Sequence, residues 1–155
     1  MPLKENLCRD KIASLGRKEA LTVSPSTSVA EAVAMMQSHR AGCLFVTEGE
    51  RLAGIFTERD LLKRVLGRKQ PFSAMIQSVM TPSPAAVQDD EPIESALRKM
   101  CEGGYRHLPL VDKRGRAAGR VSVREIVHYM VEHFPNAVYN LPPSPDQVPT
   151  APDGA

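Results

Sequence analysis

Apolar residues recur along this chain with two periods. Val29, Ala32, Val33 and Met36 stand at i, i+3, i+4 and i+7, and Ile93, Ala96, Leu97 and Met100 repeat that spacing. Each set predicts a helix with one apolar face. Ser28 followed by Glu31 reads as a capping box for the first helix, and Pro92 falls in the first turn of the second. Short apolar runs come next, Cys43 to Val46 and Leu108 to Val111. A turn with Gly49 or Gly115 separates each from another run, Leu52 to Phe56 or Ala117 to Val121. That pattern predicts a hairpin. A second helix follows each hairpin, through Leu61, Leu62, Val65 and Leu66, and through Ile126, Val127, Met130 and Phe134, where Pro135 stops it. A short strand precedes each first helix (Leu21 to Val23, Ala86 to Val87) and completes a β-α-β-β-α unit.

The unit occurs twice. A shift of 64 residues lays Val23 on Val87, Val29 on Ile93, Ala32 on Ala96 and Met36 on Met100. With one extra residue assigned just after Met100, a shift of 65 lays Val46 on Val111, Thr57 on Ser122 and Asp60 on Glu125. A three-stranded sheet with helices on one side leaves its other apolar face bare. Two copies can cover each other, so the expected architecture is α+β (α/β), two β-α-β-β-α repeats packed sheet to sheet with pseudo-twofold symmetry. A cleft on the axis is then the natural binding site. The expected divisions are an N-terminal helix in 1–19 (Leu3, Leu7, Ile12, Leu15), a first repeat in 20–67, a connector in 68–79, a second repeat in 80–135 and a Pro-rich tail in 136–155. The tail reads as an extended terminus or as a docking strand for another subunit.

Composition narrows the partners. Twenty Lys and Arg face 18 Asp and Glu over 155 residues, too even a balance for nucleic acid as a bulk electrostatic partner. The basic run Arg59, Lys63, Arg64, Arg68 and Lys69 reads as a solvated face. No apolar stretch approaches the roughly 20 residues of a membrane-spanning helix, and the charged start has no apolar segment of a signal peptide. A cytoplasmic protein is expected. Cys8, Cys43 and Cys101 form no metal-binding pair, and His39, His107, His128 and His133 are scattered, so no metal is expected. Phosphate-loop, nucleophile-elbow and dinucleotide signatures are absent.

The chemistry concentrates where the second hairpin strand enters the second helix, at Thr57-Glu58-Arg59-Asp60 and Ser122-Val123-Arg124-Glu125. One reading is structural: Thr-x-x-Asp and Ser-x-x-Glu are capping boxes, each cap contributing about 0.5–2 kcal/mol. The other is functional: a helix N-terminus with a hydroxyl receives phosphate, and a carboxylate one turn in accepts from vicinal ribose hydroxyls. The two are compatible, because a cap can be shared.

GIFTERDLL (54–62), SVMTPSPAAV (78–87), YRHLPLVD (105–112) and GRVSVREIV (119–127), in that order and repeated, resemble the tandem cystathionine-β-synthase-type (CBS) domain pair, or Bateman module. The likeness covers roughly residues 5–134, and the chain looks like a stand-alone pair. The resemblance implies a regulatory module that binds AMP, ADP or ATP, or else NAD or S-adenosylmethionine, in the inter-repeat cleft and signals through the geometry of a homodimer or to a regulated protein. It implies no catalysis and no cofactor beyond that ligand.

Carried over residue by residue, Thr57 and Ser122 contact phosphate, and Asp60 and its counterpart Glu125 hold the ribose. Arg59, Arg106 and His107 reach phosphate, and the strands ending in Val23 and Val87 flank adenine. Glu125 departs from the family's Asp by one methylene, and Arg120 stands where an apolar residue is usual. With Ala41 and Gly42 opposite Arg106 and His107, the Asp60 site is expected to lack those phosphate partners. A purely structural or partner-docking pair with an empty cleft is the alternative. Asp60 and Glu125 as an acid/base couple is disfavoured, because the pseudo-symmetry puts them in separate sites.

Overall fold

A computed structural model describes residues 2–16 and 18–133. Helix α1 (Pro2–Arg9) leads into a 3-10 turn, Ile12–Leu15, and the first repeat then runs β1 (Thr22–Val23), α2 (Val29–His39), β2 (Cys43–Glu48) and β3 (Arg51–Thr57). Helix α3 opens as one α-turn, Glu58–Asp60, and continues with π winding over Leu61–Leu66. A 3-10 turn, Ile76–Ser78, and β4 (Thr81–Pro82) precede α4 (Ile93–Gly103), β5 (His107–Val111), β6 (Ala117–Ser122) and α5 (Val123–His133). The expected β-α-β-β-α order is present in the first repeat; in the second, the expected leading strand is reduced to a single bridge at Val87, followed by α4, β5, β6 and α5. The Pro-rich tail, with Phe134 and Pro135, lies outside the described residues.

The capping box at α2 is realised: Ser28 Oγ accepts from the Glu31 amide at 3.1 Å, and the Glu31 carboxylate accepts from the Ser28 amide at 3.0 Å. Alternation along β2 splits the sheet's two faces. Leu44 and Val46 pack with Val29, Ala32, Met36, Phe56 and Val65 under the helices, whereas Cys43, Phe45 and Ile55 form a smaller cluster on the other face. That second face looks across to Arg120 and Ser122 of β6, with which Cys43 and Phe45 line one cavity. The two sheets meet as expected.

The first sheet has one strand more than expected, the second has two strands with a bridge on each edge, and in both the added edge comes from the segment that precedes the other repeat. The first sheet runs β1-β2-β3-β4, with β4 drawn from beyond the connector. Around the β5–β6 hairpin, Val87 bridges Leu110 on one edge and Lys18 bridges Arg120 on the other, which reproduces the same order. The leading segments are therefore exchanged. Ile12 and Leu7 belong to the core of the second repeat, and Ile76 and Val79 to the core of the first.

Backbone bonds repeat the symmetry. The Asp10 carbonyl accepts from the Ile93 amide at 3.0 Å, and 64 residues on, the Ala74 carbonyl accepts from the Val29 amide at 2.9 Å. Each exchanged segment thus satisfies an amide that a helix start leaves without an intrahelical partner. This explains two differences from the sequence reading. Residues 68–79 help to build the first repeat's core besides connecting, and the leading helix breaks before Lys11, which adopts extended backbone to bridge Pro92.

Strand pairing also relocates the extra residue of the second copy. Cys43 pairs with Thr57 and Val46 with Gly54, while His107 pairs with Ser122 and Leu110 with Gly119. Val46 therefore corresponds to Leu110, not Val111, and the insertion lies in the second hairpin loop rather than after Met100. The Asp112 carboxylate folds that longer loop by accepting from the Arg114 and Arg116 amides at 2.9 Å. Arg106 now stands opposite Gly42, and His107 opposite Cys43.

Candidate functional site

Both strand–helix junctions form the predicted hydroxyl–carboxylate motif. Thr57 has extended backbone and caps α3; its Oγ1 accepts from the Asp60 amide at 3.2 Å and donates to Asp60 Oδ2 at 3.1 Å. The Thr57 amide donates to the same oxygen at 3.0 Å, and Thr81 Oγ1 donates to Asp60 Oδ1 at 3.1 Å. Arg64, one turn further, stands 3.5 Å from Oδ1. Asp60 is only 7% exposed, and this set of donors is what permits a carboxylate there. At the second junction the Ser122 amide and hydroxyl both donate to Glu125, and Arg120 Nη1 lies 3.3 Å from its other oxygen. The extra methylene of Glu125 thus leaves the cap intact and lets the carboxylate reach Arg120.

Each junction opens onto a cavity between the repeats. The Ser122 cavity, of about 590 Å³, is lined by Ser122 to Glu125, by Arg120, and by the facing segment Arg40 to Cys43. The Thr57 cavity, of about 350 Å³, is lined by Thr57 to Asp60, by Ile55 and Thr81, and by the facing segment Gly104 to His107. The pseudo-twofold relates them: Ile55 takes the place of Arg120, and Gly104 and Tyr105 the places of Arg40 and Ala41. Gly42, Arg106 and His107 belong to both cavities.

Of the residues singled out in the sequence, Thr57, Arg59, Asp60, Arg106 and His107 come together in one cavity, and Arg106, His107, Ser122 and Glu125 in the other. The Asp60 site does not lack Arg106 and His107, because the head of β5 lies between the two junctions and faces both. Val23 and Val87 do not line either cavity. Both are buried in the helix-side cores, and Leu21, two residues earlier, lines the Ser122 cavity instead. Three contributors escaped the motif reading. Arg124 could have been found as the counterpart of Arg59 at a shift of 65; Thr81 and Arg40 carry no comparable local signal.

The electrostatics differ between the cavities. Arg40, Arg106, Arg120 and Arg124 line the first against Glu19 and Glu125, whereas Arg59 and Arg106 line the second against Glu58 and Asp60. Burial holds the His107 imidazole below its usual pKa, and Arg120 and Arg106 add to that against Glu125 and Glu58, so the ring is neutral near pH 7 and can accept or donate one hydrogen bond. Burial pushes the Cys43 thiol up to about 11, which leaves it unreactive as a nucleophile. Among the described residues no group of three His, Cys, Asp or Glu side chains is placed to hold a metal ion, and no helix is long and apolar enough to cross a membrane.

Known proteins share both the sequence pattern and the fold. A family model of the CBS domain matches residues 12–67 and again 76–132. A 17.7 kDa protein of Acidianus ambivalens is 30% identical over 123 residues, covering 79% of this chain and 74% of that protein. CBSCBSPB3, a CBS domain-containing protein of Arabidopsis thaliana, is 31% identical over 90% of this chain, which spans only 26% of that longer relative. Among solved structures, a CBS-domain containing protein from Agrobacterium tumefaciens superimposes with a TM-score of 0.69 at 30% identity, covering 77% of this chain and 98% of its own. CBSX2, solved in complex with AMP, gives a TM-score of 0.69 at 26% identity, covering 79% and 96%.

Proposed function

Because the chain belongs to the CBS domain family, we propose that it is a regulatory module binding adenosine-containing ligands in the two inter-repeat cavities. The observation that carries this reading is the pairing of each hydroxyl–carboxylate junction with its own cavity and at least two arginines. A ribose diol supplies two donors that Asp60 or Glu125 can accept, and the arginines and the Thr57 or Ser122 hydroxyl answer a phosphate. The AMP complex of CBSX2, a protein of the same fold, supports the ligand class. Charge balance assigns ligands within it: two excess arginines suit ADP or ATP in the Ser122 cavity, and the balanced Thr57 cavity suits AMP or a less charged adenosine compound. In this reading the sites are unequal on the strength of Arg40 and Arg120, whose counterparts are Gly104 and Ile55, rather than of Arg106. The reading assigns no reaction to Asp60 or Glu125, which face different cavities, and it places the protein in the cytoplasm.

Occupancy is transmitted in this reading through a homodimer or a regulated partner. Leu62 and its counterpart Val127 are 62% and 52% exposed on the second helices of the repeats, an apolar surface suited to a second copy. A ligand shifts that geometry only by as much as it favours one arrangement over the other.

Thermal unfolding with AMP, ADP, ATP, NAD and S-adenosylmethionine tests the proposal. Ligand at 100 times Kd stabilises the folded chain by about 2.7 kcal/mol, a rise in Tm of roughly 5–10 °C at this size. The empty, partner-docking alternative draws on one observation: Ser122 and Arg120 already occupy the Glu125 carboxylate. It predicts no rise with any of the five.

A further inference from the structure

Resting on that reading, we propose that the two cavities compete for a single guanidinium, Arg106, so that a phosphate-bearing ligand in one weakens the binding of a second in the other. Arg106 and Gly42 are the pseudo-equivalent residues at the heads of the two hairpins, and both line both cavities. The symmetric plan therefore has two central positions for two cavities, and this chain fills only one of them with a cation.

The other arginines serve one cavity each, Arg40, Arg120 and Arg124 the Ser122 cavity and Arg59 the Thr57 cavity, and the carboxylates at both junctions are already paired. Arg120 pairs with Glu125 at 3.3 Å and Arg64 with Asp60 at 3.5 Å. Arg106 is exposed and forms no ion pair among the described residues, so its side chain is free to swing to either side. His107, the other shared side chain, is neutral near pH 7 and does not replace the charge. A first phosphate engages Arg106; a second meets its own cavity without that partner and with an anion nearby. A ligand without phosphate makes no such demand, and the cavities then fill independently.

Isothermal titration of the full chain with AMP, and separately with adenosine, tests this. Asp60→Ala and Glu125→Ala each disable one cavity, and each is also combined with Arg106→Ala. The expected result is that Arg106→Ala weakens AMP about tenfold in both single-cavity variants and leaves adenosine unchanged. In the native chain, the second AMP step is about tenfold weaker than that cavity shows alone. Gly42→Arg supplies the missing guanidinium at a position that admits a Cβ, which meets only the Glu58 side chain, at 3.9 Å; an unchanged circular dichroism spectrum checks that the variant is folded. The substitution tightens the second AMP step about tenfold.

Loss of AMP affinity in only one of the two Arg106→Ala backgrounds, or a second step unmoved by Gly42→Arg, overturns the competition while leaving the binding function standing. Failure of the native chain to take up AMP or adenosine overturns both.

Discussion

At Asp60 one carboxylate serves the Thr57 amide and hydroxyl, the Thr81 hydroxyl and the Arg64 guanidinium, and so ties the start of α3 to β4. Thr57→Ala removes a cap and is expected to cost about 1 kcal/mol. Asp60→Ala strands several donors and costs more, about 2–3 kcal/mol. Urea midpoints should rank native, Thr57→Ala and Asp60→Ala in that order. A second residue-scale tie joins Tyr129 of α5 to Asp10, whose carboxylate accepts from the phenol. Burial first, then that bond, pushes the Tyr129 phenol up to about 12, and the same bond holds Asp10 below its usual range. A raised phenol pKa contributes stability that is complete below pH 10 and disappears as pH rises toward 12. The depressed carboxyl contributes stability present above pH 4 and lost as pH falls further. Tyr129→Phe should flatten both limbs of a stability–pH profile; unchanged limbs would show that the tie does not bear on folding.

Among elements, β4 is short and edge-lying, and it approaches β3 at Gly54. A Cβ there would stand 2.9 Å from the Thr81 carbonyl and 2.4 Å from Met80 Sδ. Gly54→Ala is therefore expected to destabilise the chain by about 1–3 kcal/mol, read from denaturant midpoints, and to expose the Ser83 amide, which donates to the Ala53 carbonyl, to hydrogen exchange. The helices and hairpins were legible in the sequence, because Val29–Met36 and Ile93–Met100 carry a clean helical period and Ser28–Glu31 an N-cap. The junction motif was legible for the same reason: capping chemistry is local. The position of the insertion was not, since Leu110 and Val111 are both apolar and only strand pairing says which of them faces Gly119. The exchanged segments escaped because a single-residue bridge has no period. Extending the shift of 64 backward, Ile12 onto Ile76 and Leu15 onto Val79, was the available clue. On the second helices, the apolar residues that marked the helix divide in two: Val65 and Ile126 are buried, and Leu62, Leu66 and Val127 point outward.

For the whole molecule, the exchange means that neither repeat is complete within its expected bounds, 20–67 or 80–135. A fragment of residues 20–67 lacks Ile76 and Val79 and is expected to remain unfolded by circular dichroism. Adding residues 68–82 should restore helical signal. The outward apolar positions carry the assembly prediction: Leu62→Glu with Val127→Glu should shift a dimer to monomer in light scattering and leave the monomer's Tm within a few degrees. The two hairpins also touch at their turns, where the Leu52 and Ala117 amides donate to the Gly115 and Glu50 carbonyls at 3.2 and 2.9 Å. The crossed leading segments give the chain an unusual mechanical wiring. Tension applied at Pro2 travels through Asp10 and Lys11 to the entrance of α4, and so tugs first on the half that comes last in chain order. A tether on α1 would in that way load the second repeat directly, with the nearer half in sequence feeling the strain only afterwards.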